Sequence, residues 1–259
     1  MPTTIIAQDW ASHEALRTFI DTLPQQFDQG GELLYNERNI IKCFDIDGQA
    51  FVVKRFKRPN LPQRIAYTFF RRSKAERAFY NGQELIKRGI DTPQPVAFML
   101  RKSCGLLCDS YYICGRDDNP PVADLFNRVE VFDRPLAQAF ALFAASLHEK
   151  GILHHDLNST NTLYHQQSDG TYTFSVIDIN RMAFYDQCPP LPDCLENLTR
   201  FTGNMQLFAY VAYFNADRMA PHFGLPAPDL VQQAVAHKDK HDARWRRRKS
   251  RLKKLKKLS

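Results

Sequence analysis

Ile152-Leu153-His154-His155-Asp156-Leu157-Asn158-Ser159-Thr160-Asn161, followed seventeen residues after Asn161 by Val176-Ile177-Asp178, is the stretch on which the reading of this chain turns. An acid and an amide five positions apart on one tight loop can divide two tasks. Asp156 can orient or deprotonate an attacking hydroxyl, and Asn161 can hold a metal from the same loop. Asp178, closing a short hairpin, can complete the metal site. Phosphoryl transfer needs such a set, because its catalysis is mostly positioning plus neutralisation of charge by Mg2+. A few hard oxygen ligands suit Mg2+ better than a soft metal.

Working outward, Pro135–Lys150 reads as a nearly all-apolar helix closed by Gly151, and Thr162–His165 with Thr171–Ile179 reads as a hairpin around Ser168-Asp169-Gly170. Leu195 to Ala220 reads as a buried helix. Upstream, Glu32–Tyr35, Ile40–Phe44 and Gln49–Phe56 are short β-rich runs, with Asp47-Gly48 as the hairpin turn between the last two. Ser73–Arg88 reads as a helix stopped by Gly89, and Val96–Arg101 and Gly105–Ile113 as two more strands. Lys54 falls on the third of these strands among apolar neighbours, where it can pair with α- and β-phosphates if an acid on the helix fixes it. Glu76, 22 residues on, is preferred for that acid, with Glu84 as the competing candidate.

H-x-D-L-x-x-x-N, a later strand-ending Asp, a strand Lys and a helix Glu resemble the signature parts of the protein-kinase-like fold. The finer resemblance is to the lipopolysaccharide kinases, which phosphorylate 3-deoxy-D-manno-octulosonic acid (Kdo) or heptose of the inner core. It is carried by Arg72–Tyr80, Gly89–Ala97, Leu147–Leu157 and Ile177–Arg181, and spans about residues 30 to 220. It implies an α+β, bilobal kinase-like fold, with a small antiparallel-sheet N-lobe bearing one helix and a mainly helical C-lobe. The expected boundaries are an N-terminal helical extension over 1–30, the N-lobe over 31–115, the C-lobe over 116–243 and a basic amphipathic tail over 244–259. The resemblance further implies ATP and Mg2+ as cofactors, Lys54 and Glu76 as the nucleotide ion pair, Asp156 as catalytic acid/base, and Asn161 and Asp178 as metal ligands.

Two departures bear on the acceptor. Asp178-Ile179-Asn180 stands where protein kinases have Asp-Phe-Gly, and no Ala-Pro-Glu follows. Both argue against a protein-kinase activation segment and for a small-molecule or glycolipid acceptor, such as Kdo–lipid A or heptosylated core. The glycine-rich phosphate loop is replaced by Asn36-Glu37-Arg38-Asn39, where Arg38 can substitute by charge. A kinase of another small molecule or of protein, and a non-catalytic pseudokinase, are the alternatives.

Of 259 residues, 44% are hydrophobic and 24% charged, which fits a globular chain and excludes collagen-like and disordered classes. No apolar run approaches the ~20 residues of a spanning helix, and the N-terminus lacks the pattern of a secretory signal. The six cysteines have no zinc or redox spacing and read as reduced thiols. The expectation is a cytoplasmic protein, peripheral on the cytoplasmic face of the inner membrane. The net charge of +7 resides in Arg244–Ser259, which holds ten of the 35 basic residues and no acid; the remainder has 25 bases against 28 acids, net −3. Trp245, Leu252, Leu255 and Leu258 punctuate that tail at helix-compatible spacing, so an anionic membrane surface is preferred as its partner over nucleic acid, with an inert solvated tail close behind.

Overall fold

A computed structural model describes residues 2–126 and 132–256. The chain falls into two compact units, Met1–Asp118 with Val176–Arg181, and Asn119–Ser175 with Met182–Ser259.

The first unit is built on six antiparallel strands, β1 (Thr3–Ile6), β2 (Glu32–Asn36), β3 (Ile40–Ile46), β4 (Gln49–Arg55), β5 (Pro95–Ser103) and β6 (Leu106–Gly115), in the order β1-β5-β6-β4-β3-β2. Two of its turns explain the pairing. Asp47-Gly48 and Cys104-Gly105 have φ of 54° and 76°, and 52° and 75°, the doubly left-handed geometry that matches strand twist in two-residue hairpins. β1, absent from the sequence reading, joins the sheet through Thr3↔Leu100 to Ile6↔Ala97.

Helices α1 (Glu14–Asp21) and α2 (Leu23–Gln29) cover one face of this sheet. Their Leu16, Ile20, Leu23 and Phe27 are fully buried with Phe51, Val53, Tyr111 and Ile113. Pro24 sits in the first turn of α2, where its missing N–H costs nothing. The unit also carries α3 (Leu61–Phe69), likewise missed, and α4 (Lys74–Lys87) with Ser73 as its N-cap.

The second unit comprises α5 (Ala123–Phe126), α6 (Arg134–Glu149), the strands β7 (Ile152–Leu153), β8 (Thr162–Gln166), β9 (Tyr172–Val176) and β10 (Ala183–Phe184), and the helices α7 (Leu191–Leu198), α8 (Met205–Phe223) and α9 (Ala227–Lys256). β8 pairs with β9 and β7 with β10. Small residues on α6, Ala137, Ala141, Ala144 and Ala145, are fully buried and let α8 lie close; Asn215 Nδ2 of α8 donates to Ala141 O at 3.2 Å. The single helix expected over 195–220 is two, because Asn204 Oδ1 accepts the N–H groups of Gln206 and Leu207 and so caps a new start.

The basic C-terminal segment continues α9. Leu230, Ala234 and Lys238 are buried, Arg244 meets Glu196 at 3.5 Å, and from Trp245 to Arg251 the helix is exposed. Leu252 and Leu255 lie beyond the described side chains and Leu258 beyond the described residues. No helix among the described residues is long and apolar enough to cross a membrane.

Candidate active site

The residues expected to hold the nucleotide, Lys54 and Glu76, lie in the first unit, as does Asp178. Lys54 on β4, paired across the ladder with Ile41 and Tyr112, donates from Nζ to Asp178 Oδ1 at 2.5 Å. Its ammonium also lies 5.3 Å from the centre of the Phe56 ring. Asn180 Nδ2 donates to the same Asp178 oxygen at 2.7 Å. The segment bearing Asp178 is fastened by backbone and side chain: Val176 N donates to Asp91 O at 3.0 Å, Thr92 Oγ1 to Val176 O at 2.7 Å, and Asn81 Nδ2 to Ile179 O at 2.7 Å. Gly82 makes room for that approach, since a Cβ there would run into Pro95 Cγ and crowd Ile179.

Lys54 therefore has a carboxylate partner, and it is not the one expected. Glu76 Oε2 accepts the Ser73 N–H at 2.8 Å while Ser73 Oγ accepts the Glu76 N–H at 3.1 Å, a closed capping box that uses the carboxylate locally. Glu84 is held by Arg88 Nε at 2.7 Å, which lowers its proton affinity. The Ser73-x-x-Glu76 spacing carried this signal in the sequence.

Four further cations stand beside the pair. Lys74 and Arg77, one turn apart on α4, are half-buried and form no ion pair among the described residues, nor does Arg38 in the turn between β2 and β3. Burial lowers the proton affinity of the Lys74 ammonium first, and the charges of Arg38, Arg181 and Arg77 add to it, partly opposed by Asp178. Arg77 is likewise lowered by burial and by Arg71 and Arg181, and its Nε is a buried donor without a partner. Nearby, burial pushes the Cys114 thiol up to about 12 despite the Lys54 charge, which removes it as a nucleophile at neutral pH. A folded chain that gathers several cations around one carboxylate holds a ready receptor for a polyanion.

The loop residues assemble in the second unit. Asp156 Oδ1 accepts from Asn158 Nδ2 at 3.4 Å and lies 3.8 Å from Arg200 Nη1, its side chain one-quarter exposed. Asn158 Oδ1 accepts from Thr160 N, Thr160 Oγ1 and Asn161 N at 3.0, 2.6 and 2.9 Å, winding the loop around one amide. Asn161 Nδ2 donates to Asp156 O at 3.0 Å, so the amide spends its nitrogen on the backbone and presents its oxygen, Oδ1, as the remaining ligand atom. Asn197 of α7 braces the loop, accepting the His155 N–H at 2.9 Å and meeting His148 Nε2 at 3.0 Å. His148 is fully buried, which lowers its pKa to about 4, so its imidazole is neutral and Nε2 accepts from Asn197.

His155 and Asp178 have φ of 59° and 57°, and apart from the two hairpin turns they are the non-glycine left-handed residues among those described. Such strain gathers where side chains must be aimed. Among the described residues no three His, Cys, Asp or Glu gather as a metal site. Taken each by itself, the Asp178 carboxylate and the Asn161 amide oxygen are hard oxygen donors of the type that Mg2+ takes. Sequence reading missed Arg200, Asn197, Lys74, Arg77 and the bracing role of His148, since none has a motif of its own.

The model of the Lipopolysaccharide kinase (Kdo/WaaP) family matches residues 61–187, bearing out the resemblance read from the sequence. Among solved structures the chain is similar to that described as WaaP in complex with acyl carrier protein, at 16% identity and a TM-score of 0.62, covering 96% of this chain and 98% of that one. At that identity the likeness shows the fold, which is kinase-like. No curated protein matches the chain by sequence.

Proposed function

We propose, for a chain whose residues 61–187 match the model of the lipopolysaccharide kinase (Kdo/WaaP) family, that it transfers the γ-phosphate of ATP to a hydroxyl of an inner-core lipopolysaccharide sugar, Kdo or heptose, on a lipid A precursor. The observation that carries this reading is the 2.5 Å contact between Lys54 and Asp178 set among Arg38, Lys74, Arg77 and Arg181. A glycine-rich loop binds phosphates by backbone N–H groups; here that role falls to side-chain charge, with Lys54 on the α- and β-phosphates. Asp156 accepts the proton of the sugar hydroxyl as its oxygen bonds to the γ-phosphorus. The bond from that phosphorus to the bridging oxygen breaks, and ADP leaves with the electron pair. Asn161 and Asp178 would hold Mg2+, which when bound spreads the negative charge of the phosphates. The basic end of α9 would keep the enzyme on the anionic cytoplasmic face of the inner membrane, where such an acceptor resides.

The test is transfer of labelled γ-phosphate from Mg-ATP to a Kdo-containing lipid A precursor, with heptosylated core and casein alongside. Label on a glycolipid, lost in Asp156→Ala and Asp178→Ala, supports the reading and names the sugar. Label on casein alone moves the acceptor to protein. No label anywhere, with no stabilisation by Mg-ATP where a ligand at a hundred times its Kd adds about 2.7 kcal/mol, removes the enzyme and leaves a binding module.

A further inference from the structure

The helix α3 is amphipathic the wrong way round for a soluble protein. Its polar side chains face the sheet: Arg64 Nε donates to Leu107 O at 2.9 Å, Arg64 Nη2 to Ser103 O at 3.0 Å, and the Leu107 N–H reaches Thr68 Oγ1 at 2.9 Å. Its apolar side chains face water. Leu61, Ile65 and Phe69, four apart on one stripe, are 59%, 41% and 66% exposed, and Phe70 at the helix end is 83% exposed. No residue of α3 is buried. Phe69 and Phe70 touch each other, ring centres 6.3 Å apart, and no other aromatic ring among the described residues.

Short helices that exist only to connect strands do not spend three capping and anchoring interactions to hold phenylalanines in solvent. α3 has a closed capping box, Asn60 with Gln63, and the two side-chain anchors to β5 and β6 just named. The charge around it is one-sided: between Phe56 and Ala75 the sequence has six basic residues and no acid, and Lys57, Arg58, Arg71 and Arg72 are exposed at the two ends of the helix. Two of these are already held, Arg58 by Asp109 at 3.0 Å and Arg72 over the Tyr80 ring at 4.6 Å. Lys57 and Arg71 have no acidic partner among the described residues.

We propose that the outward face of α3 is a second membrane-contact surface, with Leu61, Ile65, Phe69 and Phe70 entering the headgroup–acyl boundary of an anionic bilayer and Lys57 and Arg71 meeting its phosphates. An apolar face rimmed by cations is the pattern of helices that lie in a lipid interface. The element precedes α4 and follows β4, so a bilayer met by α3 is met by the unit that carries Lys54 and the cation cluster. The inference goes beyond the phosphotransfer reading and stands without it, because vesicle binding needs neither nucleotide nor acceptor.

The experiment is flotation of the full chain with vesicles of phosphatidylcholine alone or with 30% phosphatidylglycerol. The wild type is expected to float with the anionic vesicles, less so as salt rises. Phe69→Ser/Phe70→Ser is expected to lower the partition coefficient at least tenfold with an unchanged thermal midpoint, since both side chains are mostly exposed. Arg246→Ser/Arg247→Ser/Arg248→Ser, on the tail, is expected to leave the Phe69-dependent part in place. Phenylalanine variants that float as the wild type does would assign all membrane binding to the tail and overturn the proposal. A wild type that ignores anionic vesicles but is retained by an immobilised acidic protein would make the face a protein-docking site and overturn it equally.

Discussion

Lys54 and Asp178, 124 positions apart in the chain, meet at 2.5 Å because the segment Val176–Arg181 belongs to the same compact unit as the sheet. Their side chains are 14% and 33% exposed, so neither charge is left without a partner in a largely desolvated place. Asp178→Asn should remove phosphotransfer by several orders of magnitude, measured with labelled ATP, while lowering stability by about 1–3 kcal/mol in denaturant titration. Near-wild-type turnover would show that another acid serves the phosphates.

Glu76 gives the complementary test. A glutamine can accept the Ser73 N–H as the carboxylate does, so Glu76→Gln should keep the capping box, the thermal midpoint and turnover. Glu76→Ala should cost about 1 kcal/mol through the lost cap and leave Mg-ATP affinity in place. A hundredfold loss of turnover in the glutamine variant would return Glu76 to the role of phosphate-lysine partner.

The cation cluster links stability to binding. Lys74→Met removes a half-buried ammonium crowded by Arg38, Arg77 and Arg181. It should raise the thermal midpoint of the free protein and raise KM for ATP about tenfold, which is ~1.4 kcal/mol of lost phosphate binding. A variant that is more stable and binds ATP equally well would show that the cluster faces some other anion.

His148 sets a pH window. Its folded pKa, lowered to about 4, lies below the ordinary value of 6.5, so as pH falls through that interval the unfolded chain takes up a proton that the folded one refuses. Stability is complete above pH 6.5 and is lost towards pH 4. Between pH 7 and pH 5 the loss from this group is about 2 kcal/mol. His148→Gln should flatten that slope in pH-dependent thermal unfolding, whatever its effect at pH 7; an unchanged slope would place the acid sensitivity elsewhere.

Much of this was readable from residues alone, and the misses have physical reasons. Asp47-Gly48 dictated its hairpin, Ser73 and Gly89 bounded α4, and the stretch around Asp156, Asn161 and Asp178 carried the resemblance to the family whose model matches residues 61–187. Local patterns carry such information because turns and caps are decided within four or five residues. α3 was missed because it is only nine residues long, with Pro62 in its first turn, so its apolar repeat is too short to stand out. The partner of Lys54 lay in a contact over 124 positions, which no periodicity encodes. Asn197 reaches His155 of the loop across 42 positions and His148 across 49, again through tertiary contact alone.

The uninterrupted run of α9 has a mechanical consequence. Thirty residues at 1.5 Å each make a rod of about 45 Å, whose first half is fixed by the buried Leu230, Ala234 and Lys238. The azimuth of the helix from Arg246 to Arg251 is thereby geared to the body, as a cog is to its shaft. Deleting one residue between Asp239 and Ala243 would turn the distal face by about 100°, and deleting four would nearly restore it. A phase-dependent loss, present for one residue and absent for four, would distinguish a tail that presents a particular side from one that supplies only charge.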